Sequence, residues 1–256
     1  ALLTTLGLQV LSNFANDYGD GIKGTDDNRI GEKRLVAAGI ITAQQMKKAV
    51  IITAIITFII ALTLIYIAFG KENFVLSLVF ILLGVGSIGA AIKYTVGTNA
   101  YGYSGFGDVF VFIFFGLVSV LGSNFLFTHF VDWKLLLPAC SIGLLSVAVL
   151  NLNNMRDIEN DRIAGKNTLV VKMGLTKAKK YHQFLLIIAS FSFLLFLTLT
   201  KISLISILIV NLPIIMHLNK ISKSEKYEDF DPELKKVALS TFALSILFWL
   251  TLVFLS

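Results

Sequence analysis

Long apolar stretches separated by short polar segments run through most of the chain. Seven of these stretches are long enough to cross the roughly 30 Å of hydrocarbon in a bilayer as helices. They lie near residues 44–69, 74–93, 106–128, 134–153, 179–199, 202–219 and 235–255. An eighth stretch, residues 1–16, is already apolar at Ala1, so we expect that a further helix precedes it in the natural protein. The pattern predicts an all-α polytopic membrane protein.

Composition agrees with this prediction. Of the 256 residues 56% are hydrophobic and only 15% are charged, and the mean hydropathy is +0.81, outside the range of ordinary soluble domains. No stretch has the composition of a separate soluble domain. We therefore expect one transmembrane domain over residues 1–256, truncated at its N-terminus.

The basic residues lie almost entirely on one side of the predicted topology. If the chain changes sides at each span, only Lys71, Lys134 and Lys201 of the 22 Lys and Arg residues fall on the far side. By the positive-inside rule the near side is cytoplasmic. The net charge of +6 then reflects topology and attraction to anionic lipid headgroups. Neither a nucleic-acid partner nor a protein partner is indicated.

Acids and asparagines gather at the near-side end of the first helix, in "NFANDYGDG". Asn13 and Asp17 are four residues apart, as are Asn16 and Asp20, so on a helix they form a polar face. Ionised groups at a membrane edge are expensive unless a partner compensates them. The face therefore indicates a compensating partner, most simply a cation, or a role at the membrane surface.

A second acidic face follows about 140 residues later, in "NLNNMRDIENDRIAGKNT". Asn153, Asp157 and Asp161 recur at intervals of four residues and share one helix face. Four crossings separate the two faces, and since this number is even they emerge on the same side. We expect the two faces to lie together at the opening of one cavity, on the cytoplasmic side.

Oxygen ligands without histidine or cysteine favour Mg²⁺, with Mn²⁺ as a possible substitute. The predicted metal ligands are the acids and one amide of the two faces, Asn16, Asp17, Asp20, Asp157 and Asp161, and the four acids are the predicted catalytic carboxylates. Bases follow each face and suit the oxygens of a diphosphate, namely Lys23, Arg34, Arg162 and Lys166. Further predicted substrate contacts are Asn13, Asn16, Asn153, Asn154 and Arg156. The alternative is that these loop charges merely neutralise one another.

A Mg²⁺-diphosphate site beside an apolar interior suggests a polyprenyl diphosphate as substrate. Ionising its allylic C–O bond needs charge neutralisation on the leaving group and a pocket that keeps water from the carbocation. An acceptor must complete the reaction. A cation-coupled transporter is the alternative from another class, although the acids lie at helix ends and not at the midplane. A catalytically inactive scaffold is a third.

The motifs "NDYGD", "KGTDD" and "RIG", "YTVG" with "YGYSGFGD", and "LNNMRDIENDRIAGKNTLVVKMG" resemble the UbiA superfamily of intramembrane aromatic prenyltransferases. Within it they are most similar to the bacterial branch that prenylates 1,4-dihydroxy-2-naphthoate in menaquinone synthesis. The resemblance implies nine transmembrane helices around a central cavity, of which eight are present here. It also implies a multi-pass protein of the bacterial cytoplasmic (inner) membrane.

The resemblance assigns residues to the two family motifs. Asn16 and Asp20 match the first two positions of Asn-xxx-Asp-xxx-Asp, but Gly24 stands in the third, and Asp157 and Asp161 match the second motif, Asp-xxx-Asp. Two acids close to Gly24 could substitute for the missing carboxylate, Asp26 and Asp27.

Many relatives carry a tyrosine followed four residues later by a lysine, and here the resemblance places Tyr94 in the catalytic set. Thr98 stands where that lysine would be, so Lys93 or Arg34 is expected to serve instead. Tyr101 and Tyr103 could shield or stack on the cation and the acceptor, or could be interfacial aromatics.

The reaction that the resemblance implies joins the prenyl chain to a ring carbon of 1,4-dihydroxy-2-naphthoate. It releases diphosphate and carbon dioxide and gives a demethylmenaquinone. Other acceptors remain open for the same chemistry: 4-hydroxybenzoate, homogentisate or a haem precursor.

Overall fold

The computed structural model describes residues 1–26 and 33–254, apart from the side chain of residue 206. Within these ranges the chain is helical and contains no strand. We number ten helices along it: α1 (Leu2–Gly21), α2 (Ala43–Phe69), α3 (Phe74–Lys93), α4 (Gly107–Thr128), α5 (Leu136–Arg156), α6 (Ile158–Ile163), α7 (Leu169–Met173), α8 (Leu175–Thr200), α9 (Ile205–Lys223) and α10 (Phe230–Phe254).

All eight apolar stretches of the sequence form helices, with ends within a few residues of those expected. In the described ranges, six helices are long and apolar enough to cross a membrane: α2, α3, α4, α5 with the preceding turn, α8 and α10 with the preceding turn. The prediction of an all-α, multi-pass membrane protein is confirmed. That the whole chain is one domain stays a prediction.

The chain divides into two compact units. The first comprises residues 1–107, 125–129 and 159–168, and the second comprises residues 108–124, 130–158 and 169–256. The short helix α6 belongs mainly to the first unit, because residues 159–168 return to the part of the chain that contains α1.

In the first unit, α1 packs against α2 and α3. Leu11, Ala15 and Val50 form its small buried core. Gly7 lets α1 and α2 approach closely, because a Cβ at this position would lie 2.5 Å from Thr57 Oγ1. The apolar part of α1 is thus packed closely against its neighbours.

The second unit has the larger core, built on α5, α8, α9 and α10. Leu152, Leu186 and Phe230 are among its fully buried side chains. Helix α4 contains a π-helical segment, Phe112–Val118, where it meets α5. A Cβ at Gly116 would lie 2.7 Å from the Ala139 carbonyl oxygen, so the two backbones are in contact at this point.

Much of the outward surface is apolar. Helix α3 buries none of its residues, and Phe74, Leu82 and Val85 are exposed on it. Large exposed aliphatic side chains on long helices are the surface that lipid tails cover.

Candidate active site

The acids of the first face lie in the last two turns of α1. Asp17 and Asp20 are both buried, and the helix ends at Gly21 with the Ile22 amide still donating to the Tyr18 carbonyl. Thr25 then folds back, since its amide donates to the Asp20 carbonyl over 3.1 Å. The turn after α1 therefore stays beside Asp20.

Lys166 joins this end of α1 to the second acidic motif. Its ammonium nitrogen lies 3.2 Å from an Asp20 carboxylate oxygen and 3.7 Å from one of Asp161, and all three residues are buried. Gly165 makes the approach possible, because its φ of +69° is a left-handed conformation that glycine adopts without strain. The two acidic motifs, far apart in sequence, thus share one lysine.

Tyr103 adds a hydroxyl group to the same carboxylate. This hydroxyl donates to Asp20 over 2.8 Å and lies 2.6 Å from the Thr25 hydroxyl. The Lys23 ammonium is 3.8 Å from the centre of the Tyr103 ring, a cation–π contact. The Asn167 amide donates to the Tyr103 carbonyl, which ties the loop after Asp161 to the tyrosine.

Lys23 is fixed at its other side by a backbone group. Its ammonium donates to the Thr95 carbonyl over 2.6 Å, and the Thr95 hydroxyl donates to the Ala15 carbonyl over 2.9 Å. Gly19 is required for this packing, because a Cβ there would lie 2.5 Å from Thr95 Oγ1. The loop after α3 is therefore pressed directly onto α1.

Burial and the neighbouring charges perturb the pKa values of these groups. Burial alone would lower the pKa of Lys166, but Asp20 and Asp161 outweigh it and raise that pKa, so the lysine is charged. Burial, with Asp20 beside it, raises the pKa of Tyr103, which keeps the phenol protonated. Burial lowers the pKa of Lys23, and Asp20 opposes that shift.

In the second unit, Arg156 binds the carboxylate of Asp157. The guanidinium donates to both Asp157 oxygens over 2.8 Å, to Asp231 over 2.6 Å and to Asn153 over 2.7 Å. Arg156 and Asp157 are both buried at the end of α5. Arg156, predicted as a substrate contact, here neutralises acids of its own chain. Asn154, also predicted, is buried on α5 beside them in sequence.

Asp108, at the start of α4, is also buried in the second unit. The Tyr181 hydroxyl of α8 donates to its carboxylate over 3.0 Å.

Of the other predicted residues, three are exposed and two pack against each other. Asn13 and Lys93 are exposed, and Arg162 forms an exposed ion pair of 2.9 Å with Glu159. Tyr94 and Tyr101 pack edge to face with ring centres 5.4 Å apart, and Tyr101 donates to the Ala90 carbonyl. The site roles assigned to these residues stay predictions.

Near the third position of the first motif, Gly24 has a φ of +71° and Asp26 is buried. Arg34 Nε lies 3.9 Å from an Asp26 oxygen. The other suggested substitute, Asp27, lies outside the described residues. Asn16 is half-buried, with the Thr95 hydroxyl 3.4 Å from its side-chain oxygen.

The structure adds Thr25 and Thr95 to the predicted set. Each places a hydroxyl within 3 Å of a partner in this cluster. Nothing in their spacing indicated this role, because both act through contacts between segments that are far apart in sequence. The "KGTDD" motif offered the one signal for Thr25.

The cluster brings together groups that can neutralise a diphosphate and a divalent cation. Two carboxylates converge on one ammonium, with a second lysine and a phenol beside them. Among the described residues no group of three or more His, Cys, Asp and Glu side chains forms a ready-made metal site. Two converging carboxylates fit Mg²⁺ nevertheless, since Mg²⁺ in phosphate sites takes one or two carboxylates and completes its shell with water and phosphate.

These features define a class: an all-helical, multi-pass membrane protein with a buried cluster of acids and lysines at the end of its first helix. A family comparison then identifies the group within that class. Residues 1–232 match the UbiA prenyltransferase family, and the chain belongs to it.

Named relatives extend the comparison. The chain is 44% identical over 254 residues to the 1,4-dihydroxy-2-naphthoate octaprenyltransferase of Haemophilus influenzae, covering 98% of this chain and 82% of the relative. It is 50% identical over 188 residues to the Escherichia coli enzyme of the same name, covering 73% of this chain and 60% of the relative. The Mycobacterium tuberculosis enzyme, again of that name, is 38% identical and covered over 62% of its length. No solved structure matches the chain.

Proposed function

We propose that this protein transfers a polyprenyl group from a polyprenyl diphosphate to 1,4-dihydroxy-2-naphthoate. The C–O bond to the diphosphate breaks, a ring carbon of the acceptor bonds to the prenyl carbon, and carbon dioxide leaves with the diphosphate. The product is demethylmenaquinone in its reduced form. The proposal draws on the names of the relatives, which match between 60% and 82% of their own length, and on one structural observation.

That observation is the position of Lys166 between Asp20 and Asp161. A buried lysine shared by two carboxylates neutralises only one of their two negative charges, so the group keeps a net charge that favours a cation. When a diphosphate enters, the ammonium can turn to its oxygens, which leaves both carboxylates available for a cation. Lys23, held over Tyr103, supplies a second positive charge in the same unit.

Mg²⁺ would be held by Asp20 and Asp161, with Asn16 one helical turn before Asp20 on α1. For Asp157 the metal role stays a prediction from its sequence motif alone. When bound, the metal supplies charge neutralisation on the leaving diphosphate. The chain's own task is to orient the diphosphate with Lys23 and Lys166 and to exclude water from the allylic carbon. The acceptor is an electron-rich ring and needs positioning more than activation.

We further propose that the site faces the cytoplasm of a bacterial inner membrane. The distribution of Lys and Arg supports this orientation. Since polyprenyl chains are membrane-soluble, the tail of the substrate can lie against apolar helices while its diphosphate meets the cluster.

The direct test is a turnover assay with the natural full-length protein in detergent. Geranyl or farnesyl diphosphate and Mg²⁺ are supplied with 1,4-dihydroxy-2-naphthoate or 4-hydroxybenzoate in parallel, and products are identified by mass. We expect prenylated naphthoquinone that disappears on chelation. Product from the benzoate alone would keep the mechanism and change the acceptor, whereas no product from either would refute the proposal.

The metal assignment is tested separately with Asp157→Asn and Asp161→Asn. Each should abolish Mg²⁺-dependent turnover while the protein remains inserted in the membrane and folded. Turnover close to that of the unsubstituted protein in either variant would remove that residue from the metal site.

A further inference from the structure

Asp17 has different partners from the other acids of the first motif. One of its carboxylate oxygens accepts from the Leu35 amide over 3.0 Å, and the other accepts from the Val36 amide over 3.1 Å. The residue is buried, with 6% of its surface exposed. Both oxygens are therefore bonded to backbone groups of one short segment.

The segment that Asp17 binds is a helical turn whose first amides need acceptors. The Ala38 amide donates to the Arg34 carbonyl over 2.9 Å, and the Gly39 amide donates to the Val36 carbonyl over 3.0 Å. The amides of Leu35 and Val36 come at the start of this turn, where a helix leaves its N–H groups without internal partners. Asp17 caps the turn from a different segment, as an N-cap residue caps its own helix.

The backbone of α1 is shaped to receive this turn. Gly21 lies one helical turn after Asp17, and a Cβ there would be 2.7 Å from the Val36 side chain. The turn also carries Arg34 directly before the two capped amides, with its Nε 3.9 Å from Asp26. The position of Arg34 relative to α1 therefore depends on the Asp17 carboxylate.

We propose that Asp17 is a positioning residue, not a metal ligand. It fixes the turn at residues 34–39 on the end of α1 and so holds the Arg34 guanidinium ready for the diphosphate. Asp20, three residues further on, faces Lys166 and Tyr103 and keeps the role of metal ligand. The role of Arg34 toward the diphosphate rests on the proposed function. The capping of the turn by Asp17 does not.

Hydrogen exchange without substrate tests the capping contact. Exchange of the peptide that contains Leu35 and Val36 is followed by mass spectrometry in the unsubstituted protein, Asp17→Ala, Asp17→Asn and Asp20→Asn. Loss of a buried acceptor should speed exchange of these amides about tenfold or more in Asp17→Ala, and less in Asp17→Asn, whose amide retains one acceptor oxygen. Asp20→Asn, on the same helix, should leave them slow. Unchanged exchange in Asp17→Ala overturns the proposal even if turnover is absent throughout.

Kinetics then separate positioning from metal binding. Asp17→Asn should raise the half-saturating concentration of prenyl diphosphate several-fold and change that of Mg²⁺ little. Asp20→Asn should raise the half-saturating concentration of Mg²⁺. The effects of Asp17→Asn and Arg34→Ala should not add in the double variant, because both act through one guanidinium. An equal Mg²⁺ requirement in Asp17→Asn and Asp20→Asn would overturn the proposal.

Discussion

The Lys166 ammonium lies between two buried carboxylates, and this single residue connects the acidic motifs. Each carboxylate alone would be costly to bury, and together they would repel one another. The lysine offsets both effects. On the proposed function, we therefore expect its removal to affect both stability and substrate binding.

We expect Lys166→Met to raise the half-saturating prenyl diphosphate concentration at least tenfold. The physical reason is the loss of a buried, charge-assisted contact, which costs about 1.5–3 kcal/mol. Steady-state kinetics measure this effect, and thermal unfolding in detergent should show a lower midpoint. Lys177→Ala, an exposed lysine at the start of α8, is the matched control and should change neither value. Equal behaviour of the two variants would contradict the assignment.

At the scale of helices, a network of buried polar side chains joins three helices of the second unit. A hydrogen-bonded chain links His182 of α8, His217 of α9 and Glu233 of α10. The Nε2 atoms of the two imidazoles are 2.7 Å apart. His217 Nδ1 lies 2.5 Å from the Glu233 carboxylate. Lys236 donates to the other Glu233 oxygen over 2.7 Å. Three helices are thus joined by one hydrogen-bonded network, which specifies how they pack.

We expect His217→Leu to lower the thermal unfolding midpoint strongly. Loss of His217 leaves a hydrogen-bonding group of His182 and one of Glu233 unmet, at a cost of about 1–3 kcal/mol for each buried group left without a partner. Thermal unfolding in detergent, followed by circular dichroism, measures the change. Lys235→Ala alters an exposed residue of the same helix and should change stability by less than about 0.5 kcal/mol. A His217→Leu midpoint equal to that of the control would show that the network does not stabilise the unit.

Glycines set the spacing of α4 and α5. A Cβ at Gly116 meets backbone atoms of both Ala139 and Gly143 at 2.7 Å, so neither helix can relieve the clash by turning a side chain. Gly86 lies on the exposed surface of α3, and a Cβ at this position would have no other atom within 4 Å. The two positions therefore form a matched pair.

We expect Gly116→Ala to reduce stability clearly and Gly86→Ala to leave it unchanged or slightly raised. Overpacking a close helix contact costs about 1–3 kcal/mol, whereas alanine is the better helix former at an open position. Expression yield and unfolding midpoint in detergent provide the comparison. Equal losses in both variants would mean that the close approach of α4 and α5 is not required.

At the scale of the whole molecule, the charge distribution predicts the orientation in the membrane. Cys140 is the single cysteine, so a Cys140→Ala background allows one cysteine to be placed at either predicted side. Lys226 and Glu72 are both exposed and lie on opposite predicted sides. With a membrane-impermeant maleimide on intact cells, Glu72→Cys should be labelled and Lys226→Cys should not. The reverse pattern would invert the orientation and place the site outside the cytoplasm.

Much of the fold follows from the sequence because helix formation in a bilayer depends on local apolar length. Backbone groups within lipid must be paired inside their own segment, so a long apolar stretch has few alternatives to a helix. The eight expected helices were therefore found at nearly their expected ends. The π-helical segment in α4 was not foreseen, since it depends on how Gly116 meets α5.

The candidate site was predictable in composition but not in its contacts. Residue spacing showed that Asp17 and Asp20 lie near one face of α1, and it could not show that they have different partners. Asp17 binds backbone amides of the turn at residues 34–39, and Asp20 binds Lys166 and Tyr103. Such contacts join segments up to 146 residues apart, and no local pattern encodes them.

The sequence by itself determined the membrane class and, within a few residues, the positions of eight of the ten helices in the described ranges. It also supplied the residue types on which the proposed diphosphate and metal site rests. These properties depend on hydrophobicity and on helical periodicity, both of which are local. Only the tertiary structure decided which partners the charged residues take. Lys166 lies between Asp20 and Asp161. Arg156 forms ion pairs with Asp157 and Asp231, and Asp17 caps a backbone turn. The physical reason is that a buried charge takes its partner from whichever segment packs beside it, and packing is a property of the folded chain.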